Sequence, residues 1–341
     1  MERYTIQLPP NVGGVQPSLA LSYDSSAGNG LLGQGWALSG LSAISRCPTT
    51  LERDGFIDGV DFDSNDQFCL DGQRLVHISG SLYRTELDDF SVINGGLNGF
   101  VIQTASGLTM SYGTNSNARI QLKGQSGKIM TWALNEVKDA YGNRYTISYT
   151  NNGYSSGEYY ASMIYMYGGQ NLLSHVALVY EPRPDLISGY QAGSEYRLSK
   201  RLRAIKTYTK NSLTKQYLID YADAVEPLNS SYVESVEECD AFSDCLQKVE
   251  FENDFIITNQ YSLSNVLPIY LPSGRYFGHS NYTQRTFEAD FNNDGLTENH
   301  KSPPSSRHPE VYSRGLTLNK GDGLCNFTAE STSTAITQSF L

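Results

Sequence analysis

A short acidic loop near the C-terminal end of the chain has the ligand spacing of a calcium site. In DFNNDGLTE, residues 290 to 298, oxygen-bearing side chains occupy positions 1, 3, 5 and 9, and Gly295 at position 6 permits a sharp turn. Calcium binds several oxygen ligands, and a loop that reverses at glycine brings such oxygens together. The predicted ligands are the side chains of Asp290, Asn292, Asp294 and Glu298 and the carbonyl oxygen of Leu296.

This loop departs from the EF-hand pattern. An EF-hand loop ends on an acidic residue at position 12, and Lys301 occupies that position here. No helical pattern flanks the loop either. We therefore expect a calcium loop between two β-strands, and the alternative is a turn rich in Asp and Asn that binds no metal.

A glycine-rich stretch near the N-terminus has the spacing of a dinucleotide-binding loop, with Gly28, Gly30 and Gly33 in the G-x-G-x-x-G pattern. In a nucleotide site, such a loop places a pyrophosphate on the N-terminus of the next helix. The chain after Gly33 is rich in glycine and serine and reaches Pro48, which disfavours a helix. This composition favours a glycine-rich connection between β-strands.

A hydrolase pattern surrounds Ser155, because GYSSG at residues 153 to 157 matches G-x-S-x-G. That pattern forms a nucleophile elbow only where a strand turns directly into a helix. Here it lies in a polar stretch between two tyrosine-rich strand patterns. We therefore predict a loop at Ser155 and a protein that is not an enzyme.

Two other groups of titratable residues lack the spacing of a metal site. The acidic segment that begins at residue 58 has no regular ligand period, which favours a solvated hairpin, although such acid density can also bind a cation. The histidines show no H-E-x-x-H spacing, which favours structural or surface roles. The acids are Asp58, Asp61, Asp63, Asp66 and Asp71, and the histidines are His77, His175, His279, His300 and His308.

The five cysteines cannot all pair within one chain. Cys239 and Cys245 enclose a short polar loop between two strand patterns, so we predict a local disulfide between them. Cys47 and Cys69 are a second candidate pair, and Cys325 remains unpaired in this scheme. The alternative is a set of reduced thiols in a reducing compartment.

Composition predicts an all-β protein. The 31 glycines and 24 tyrosines suit many short strands joined by turns. The formal net charge is −11, with 36 acidic and 25 scattered basic residues, which argues against nucleic acid or an anionic membrane as partner. No stretch approaches the roughly 20 apolar residues of a membrane-spanning helix, and the N-terminus lacks the basic-then-apolar order of a signal peptide.

Alternating hydrophobic segments that end in tyrosine predict antiparallel strands, and less than about a tenth of the chain is expected to be helical. The composition changes near residue 255. We predict a β-rich domain over 1–255, a connector over 256–283, and a strand-turn repeat over 284–341. The tyrosine-ended segments are LALSY (19–23), YTISY (145–149), VALVY (176–180) and YLIDY (217–221).

Long strings of the chain resemble the SpvB-like family, which includes the B components of bacterial insecticidal toxin complexes. The resemblance covers roughly residues 5 to 251. TFEADFNNDGLTE and LNKGDGLCNF resemble one repeat of the FG-GAP or VCBS type, and DAYGNRYTISY resembles a tyrosine-rich YD or Rhs hairpin. The strings that carry the SpvB-like resemblance include LPPNVGGVQPSLALSYDSSAGNGLLGQGWALSGLSAISRCPTTLERDG, DGVDFDSNDQFCLDGQRL, YRTELDDFSVI, WALNEVKDAYGNRYTISY, SGEYY, YEPRPDLISGY, LSKRLRAIKTY and VEECDAFSDC.

The resemblance implies a secreted, noncatalytic scaffold, with a cytoplasmic stage before export. In the family, the B component joins a C component in a hollow β-walled shell around a toxic polypeptide, and a propeller docks that shell onto a pore-forming A component. The C and A components are therefore the implied partners, and calcium is the implied ligand of the repeat. Glu298 stands where the repeat usually has Asp.

The resemblance also predicts that the chain is a fragment or truncated product, and the alternative is a lone blade that packs as an appendage. A propeller closes with about four to eight blades, and this chain has room for one incomplete blade. An alternative function is that of an extracellular module that binds carbohydrate or protein through exposed tyrosines. The tyrosines in question are Tyr159, Tyr160, Tyr165 and Tyr167.

Titration calorimetry tests the calcium loop. We expect Asp290→Ala and Asp294→Ala each to remove most of the calcium heat, because carboxylates crowded in one loop repel each other until a cation neutralises them. Glu298→Ala is expected to do less, since its longer side chain can act through water. A wild-type chain without calcium heat at millimolar ion, or unchanged binding by Asp294→Ala, contradicts the site.

Overall fold

A computed structural model describes residues 2–222 and 230–251, together with two short strands at 286–289 and 298–301. The chain divides into two units, Met1–Phe255 and Ile256–Leu341. Strands make up 58% and helices 6% of the structure, so the all-β prediction and the expectation of less than a tenth helix are confirmed. None of the helices in the described ranges is long and apolar enough to cross a membrane.

The first strands form two small antiparallel sheets at the N-terminus. One sheet has the order β1-β2-β5, and the other is the two-stranded hairpin β3-β4. The bounds are β1 Glu2–Thr5, β2 Ala20–Tyr23, β3 Asn29–Gly30, β4 Gly33–Gln34 and β5 Trp36–Ser39. The described helices are short, with α1 at Leu51–Asp54, α2 at Gly153–Ser156 and single 3-10 turns at Val12–Gly14 and Ser116–Ala118.

Eight strands of the next segment close into an antiparallel barrel. The barrel closes because β14 pairs with β6, where Thr131 lies opposite Ser45, and also with β12, where Val137 lies opposite Met110. The barrel strands are β6 Ala43–Cys47, β7 Gln67–Leu70, β8 Gln73–Ser79, β9 Leu82–Thr85, β10 Val92–Gly96, β11 Gly99–Gln103, β12 Thr109–Tyr112 and β14 Ile129–Lys138, and β13 Arg119–Gln121 pairs with β14 at the side.

Aromatic side chains fill the barrel interior. Trp132 is fully buried and meets Phe68 and Phe100 edge to face, each with ring centroids 5.3 Å apart. Its indole N–H donates a hydrogen bond to the Leu97 carbonyl oxygen at 3.1 Å. Edge-to-face contacts of this kind add to the energy of apolar burial. The barrel interior around Trp132 is therefore a packed core.

From β14 onward, the chain forms one long antiparallel sheet in which each strand pairs with the next. Alternate residues such as Ile147, Ile164, Val176 and Ile219 are buried on one face, as the period-two pattern predicts. The additional strands are β15 Arg144–Asn152, β16 Glu158–Gly168, β17 Asn171–Gln191, β18 Ser194–Thr209, β19 Ser212–Tyr221, β20 Val233–Asp240 and β21 Val249–Glu250.

The tyrosines that end the predicted strands tie neighbouring strands together. The phenol O–H donates to a main-chain carbonyl of the preceding strand, from Tyr149 to Leu134 at 2.8 Å and from Tyr180 to Ala161 at 2.7 Å. Burial raises the pKa of both phenols, so they remain neutral donors. The recurring tyrosines therefore reflect a repeated structural contact.

In the second unit, β22 Thr286–Ala289 and β23 Glu298–Lys301 pair antiparallel, and Ala289 lies opposite Glu298. These strands lie on either side of the predicted calcium loop in the sequence. Residues 290–297 lie outside the described residues, as do Cys325 and nearly all of the predicted repeat.

The Trp132 core can be tested by urea unfolding. We expect Trp132→Ala to lower the free energy of unfolding by about 3–5 kcal/mol, because it removes a buried ring and leaves a cavity. The matched control is Tyr141→Ala, since Tyr141 is 89% exposed, and its effect should stay within about 0.5 kcal/mol. Equal effects of the two variants contradict the packed interior.

Candidate functional site

The glycine-rich stretch forms the β3-β4 hairpin, and the segment after it is strand β5. The helix that a dinucleotide site requires is therefore replaced by a strand. Gly33 has a φ of +87°, and a Cβ atom there would collide with the carbonyl group of Ser231. The Gln34 N–H donates to that same carbonyl oxygen at 2.8 Å. Glycine is thus needed here for close backbone contact, as the strand-connection interpretation expects.

A buried ion pair between Arg183 and Asp185 holds this hairpin. The Arg183 Nη1 donates to the Gly30 carbonyl oxygen at 3.0 Å, and its Nη2 donates to the Asn29 Oδ1 at 2.7 Å. The Asp185 carboxylate accepts hydrogen bonds from Arg183, from the Asn29 Nδ2 at 2.8 Å, and from the N–H and Oγ of Ser231, both at 2.6 Å. We call these five residues the Arg183–Asp185 network.

Hydrogen bonds determine the charge state of the network. The Arg183 side chain has no exposed surface, and the Asp185 side chain is 7% exposed. Burial raises the pKa of Asp185, but the hydrogen bonds from Arg183, Asn29 and Ser231 outweigh burial and hold that pKa well below its usual range. A fully hydrogen-bonded, ionised pair of this kind is a structural link.

The network lies where strand pairing is interrupted. The register between β17 and β18 shifts between Pro182 and Ile187, which leaves Arg183 and Asp185 outside the ladder. Proline lacks a backbone N–H, so Pro182 and Pro184 favour such an irregularity. Neither residue was predicted from the sequence as part of a site, although the two prolines in the string YEPRPDLISGY indicate the irregularity.

Both predicted cysteine pairs are disulfide-bonded in the structure. Cys239 is joined to Cys245, and Cys47 is joined to Cys69. The first bond closes the turn after β20, and the second links neighbouring barrel strands β6 and β7. Disulfides of this kind are typical of proteins that fold in an oxidising compartment.

The acidic segment is organised by its own backbone and by Arg46. Asp66 is buried, pairs with the Arg46 Nη1 at 2.8 Å, and accepts hydrogen bonds from the N–H groups of Asp61 and Phe62. The carboxylates of Asp61, Asp63 and Asp66 lie within 4.8 Å of one another. The solvated-hairpin interpretation is therefore wrong for Asp66, because its carboxylate is buried in an ion pair with Arg46.

Asp58 and Asp71 have separate structural contacts. The Asp58 carboxylate accepts a hydrogen bond from the Asn65 side chain at 3.1 Å. Asp71 accepts from the Ser42 Oγ at 2.6 Å and from the Ala43 N–H at 2.9 Å, at the start of β6. These contacts explain both residues without a bound cation.

The hydrolase pattern lies in a single helical turn between two strands, so the predicted loop at Ser155 is wrong: the Gly157 N–H donates to the Gly153 carbonyl oxygen at 2.7 Å and closes the turn. Ser155 is exposed on α2, between β15 and β16, and no hydrogen bond joins it to a histidine within the described ranges. His77 contacts the Gly80 carbonyl oxygen, and His175 stacks on Tyr208 with centroids 4.5 Å apart. These contacts are those of structural histidines. His279, His300 and His308 fall where side chains are not described.

The four tyrosines predicted to be exposed differ in exposure: Tyr159 is exposed as predicted, Tyr165 and Tyr167 are half-buried, and Tyr160 is not exposed. Tyr160 is buried, its hydroxyl bonds to Glu158 at 3.0 Å, and its ring lies 5.1 Å from that of Tyr180. The prediction of exposure is therefore wrong for Tyr160, because the long β17-β18 hairpin covers its side chain. The Ser199 N–H on β18 donates a hydrogen bond to the Tyr160 hydroxyl at 3.2 Å.

The other three tyrosines keep part of their surface but contact neighbours within the protein. Tyr159 is 38% exposed and packs on Tyr149. Tyr165 packs on His175, and the Arg144 guanidinium lies 4.4 Å from the Tyr167 ring centroid. These contacts account for the rings without a ligand.

A pocket of about 570 Å³ opens at one end of the barrel. It is formed where β6 ends and β14 begins, by the loop after β6, the β10-β11 turn and the segment after β12. Its described lining contains three cationic side chains and no carboxylate. The lining residues are Arg46, Phe62, Leu97, Asn98, Ser116, Arg119, Gln121, Gly127, Lys128 and Ile129.

Comparisons with known proteins agree with the β-rich fold. The family model described as Salmonella virulence plasmid 65kDa B protein matches residues 3–78. No curated protein matches the chain. The N-terminal domain of effector protein SpvB from Salmonella typhimurium strain LT2 is 17% identical with a TM-score of 0.57, and the match covers 73% of this chain and 98% of that domain.

Toxin-complex structures are similar over more of the chain. The crystal structure of TcdB2-TccC3-TEV is 17% identical with a TM-score of 0.61, covering 94% of this chain and 20% of that one. The Tc holotoxin pore of Photorhabdus luminescens is 16% identical with a TM-score of 0.59, and the match covers 91% of this chain and 19% of that one. The chain thus spans about a fifth of these proteins, and at such identities the likeness shows the fold.

The Arg183–Asp185 network can be tested with Asp185→Asn. We expect this variant to lose about 3–5 kcal/mol of unfolding free energy at neutral pH, because it leaves a buried guanidinium without its anion. The pKa of Asp185 is lowered in the folded state, so its contribution is complete above the ordinary aspartate pKa of about 3.9 and is lost as the pH falls below it. The difference in unfolding free energy between wild type and Asp185→Asn should decrease below about pH 4.

The matched control is Asp220→Asn. Asp220 pairs with Arg203 at 2.8 Å, but its side chain is 45% exposed. An exposed pair contributes at most about 1 kcal/mol. Similar losses of unfolding free energy in Asp185→Asn and Asp220→Asn contradict the assigned role of Asp185. A difference between wild type and Asp185→Asn that does not change with pH also contradicts it.

Proposed function

We propose that this chain forms part of the noncatalytic wall of a toxin-complex shell, as a segment of an exported B-component-like or SpvB-like protein. The observation that carries the proposal is the likeness in fold to TcdB2-TccC3-TEV, which extends over 94% of the chain. The match to the SpvB family model over residues 3–78 supports the same assignment. The proposed partners are a C component within the shell and an A component that receives it.

The internal packing supports a wall rather than a catalyst. The barrel is filled with aromatic rings around Trp132, and the Arg183–Asp185 network is saturated with internal hydrogen bonds. A shell wall needs such stability, whereas a catalytic site needs polar groups held open to substrate. Ser155 is exposed and does not have the base that a nucleophile requires within the described residues.

Export is supported by the two disulfides, since such bonds persist in oxidising environments. We further propose that the second unit carries an FG-GAP or VCBS-type repeat with calcium at the ligands predicted from Asp290 to Glu298. The antiparallel pair β22-β23 supports a strand-loop-strand arrangement around that loop.

Co-expression with a C-component polypeptide encoded beside this chain tests the proposal. We expect the two to elute as one complex in size-exclusion chromatography with light scattering. Electron microscopy of the complex should place the barrel and long sheet in the wall of a hollow particle. The matched control is the same chain co-expressed with a C-component polypeptide from an unrelated toxin complex.

Separate elution of the two chains contradicts the proposal, as does a complex in which the barrel faces away from the shell. Equal binding to the cognate and unrelated C components argues for nonspecific association and also contradicts it.

A further inference from the structure

We propose that the pocket at the barrel end binds a small molecule carrying a tetrahedral oxyanion, a phosphate or sulfate ester. We call it the cationic pocket, defined by its lining around Arg46, Arg119 and Lys128. The whole chain has a net charge of −11. A concave site lined by three cations and no carboxylate therefore has the opposite charge to the chain as a whole. Its volume of about 570 Å³ suits a small ligand.

The charge of the pocket comes mainly from two of its cations. No hydrogen bond or ion pair within the described structure engages the Arg119 guanidinium or neutralises the Lys128 ammonium. Arg119 is half-buried on β13, where water screens its charge less than at an open surface. Lys128 is exposed at the rim, and its Nζ lies 5.3 Å from the Phe62 ring centroid.

Arg46 supplies a fixed third cation. Its Nε donates to the Ile129 carbonyl oxygen at 2.9 Å, and its Nη1 pairs with Asp66 at 2.8 Å. The guanidinium carbon also lies 5.3 Å from the Phe62 ring centroid and 5.9 Å from those of Phe68 and Trp132, so aromatic rings hold this cation in place beside the pocket. Asp66 also holds the Phe62 N–H at 2.9 Å. One buried carboxylate therefore fixes both Arg46 and the aromatic rim, which reduces the entropy lost when a ligand binds.

Neutral donors complete the lining and favour an oxyanion. The side chains of Asn98, Ser116 and Gln121 supply amide and hydroxyl hydrogens. Arginine forks match the geometry of phosphate and sulfate oxygens, and charge-assisted hydrogen bonds are about twice as strong as neutral ones. The exposed acids Asp61 and Asp63 flank Phe62 in the sequence but do not line the pocket.

Titration calorimetry on the full chain tests this site with three probes: inorganic phosphate, inorganic sulfate and a sulfated heparin disaccharide. We expect at least one to bind, with affinity that falls as sodium chloride is raised. Arg119→Gln should weaken binding about tenfold or more, since it removes a charge-assisted hydrogen bond to the anion. Lys128→Gln should weaken binding less, because Lys128 lies at the solvated rim.

The matched control is Lys210→Gln, which removes the same charge from the exposed β18-β19 turn. Melting temperatures of all three variants should match wild type, because neither Arg119 nor Lys128 forms an ion pair in the described structure. A preference for phosphate over the disaccharide identifies a phosphate ester as the ligand, and the reverse preference identifies a sulfated sugar.

Three outcomes overturn the proposal. They are no heat from any probe at millimolar concentration, an equal loss of binding in Lys210→Gln and Arg119→Gln, and stronger binding of a glutamate-rich peptide than of all three probes. The last would assign the pocket to carboxylates of a partner protein.

Discussion

The buried contact between Arg183 and Asp185 joins three segments that are far apart in the sequence. It fixes the glycine hairpin through Asn29 and Gly30, the irregular point of β17 through its own backbone, and the chain before β20 through Ser231. Burying two charges has a large desolvation cost, and only a complete set of hydrogen bonds offsets it. Displacing any one of the three segments would leave these charges with incomplete hydrogen bonds, and Gly33 is required because the main chains of the hairpin and of Ser231 come into contact there.

A second contact repeats along the long sheet. A tyrosine of one strand buries its ring against the core and donates its hydroxyl proton to a carbonyl oxygen of the preceding strand, as Tyr149, Tyr180 and Tyr221 do. The contact gives a buried hydroxyl the hydrogen-bond partner that it needs. It gives these three tyrosines of the described sheet a structural role.

The strands were predictable from sequence because their cause is local. Alternating apolar residues ended by tyrosine specify a strand with one buried face, and the β18-β19 hairpin follows this rule despite its many lysines and arginines. Barrel closure was not predictable, since it depends on β14 meeting both β6 and β12. The burial of Tyr160 depends on Ser199, and that of Asp66 on Arg46. The cationic pocket was missed for the same reason, because its lining comes from separate turns that only the closed barrel brings together.

The position of β14 in the chain has a consequence for biosynthesis. The other seven barrel strands, residues 43–112, leave the ribosome before residues 129–138 exist to pair with β6 and β12. Until then, the nascent chain has two open sheet edges and a set of uncovered aromatic rings, the type of intermediate that aggregates most readily. Translation speed and holding chaperones should therefore control the yield of this protein most strongly while its first 138 residues are emerging.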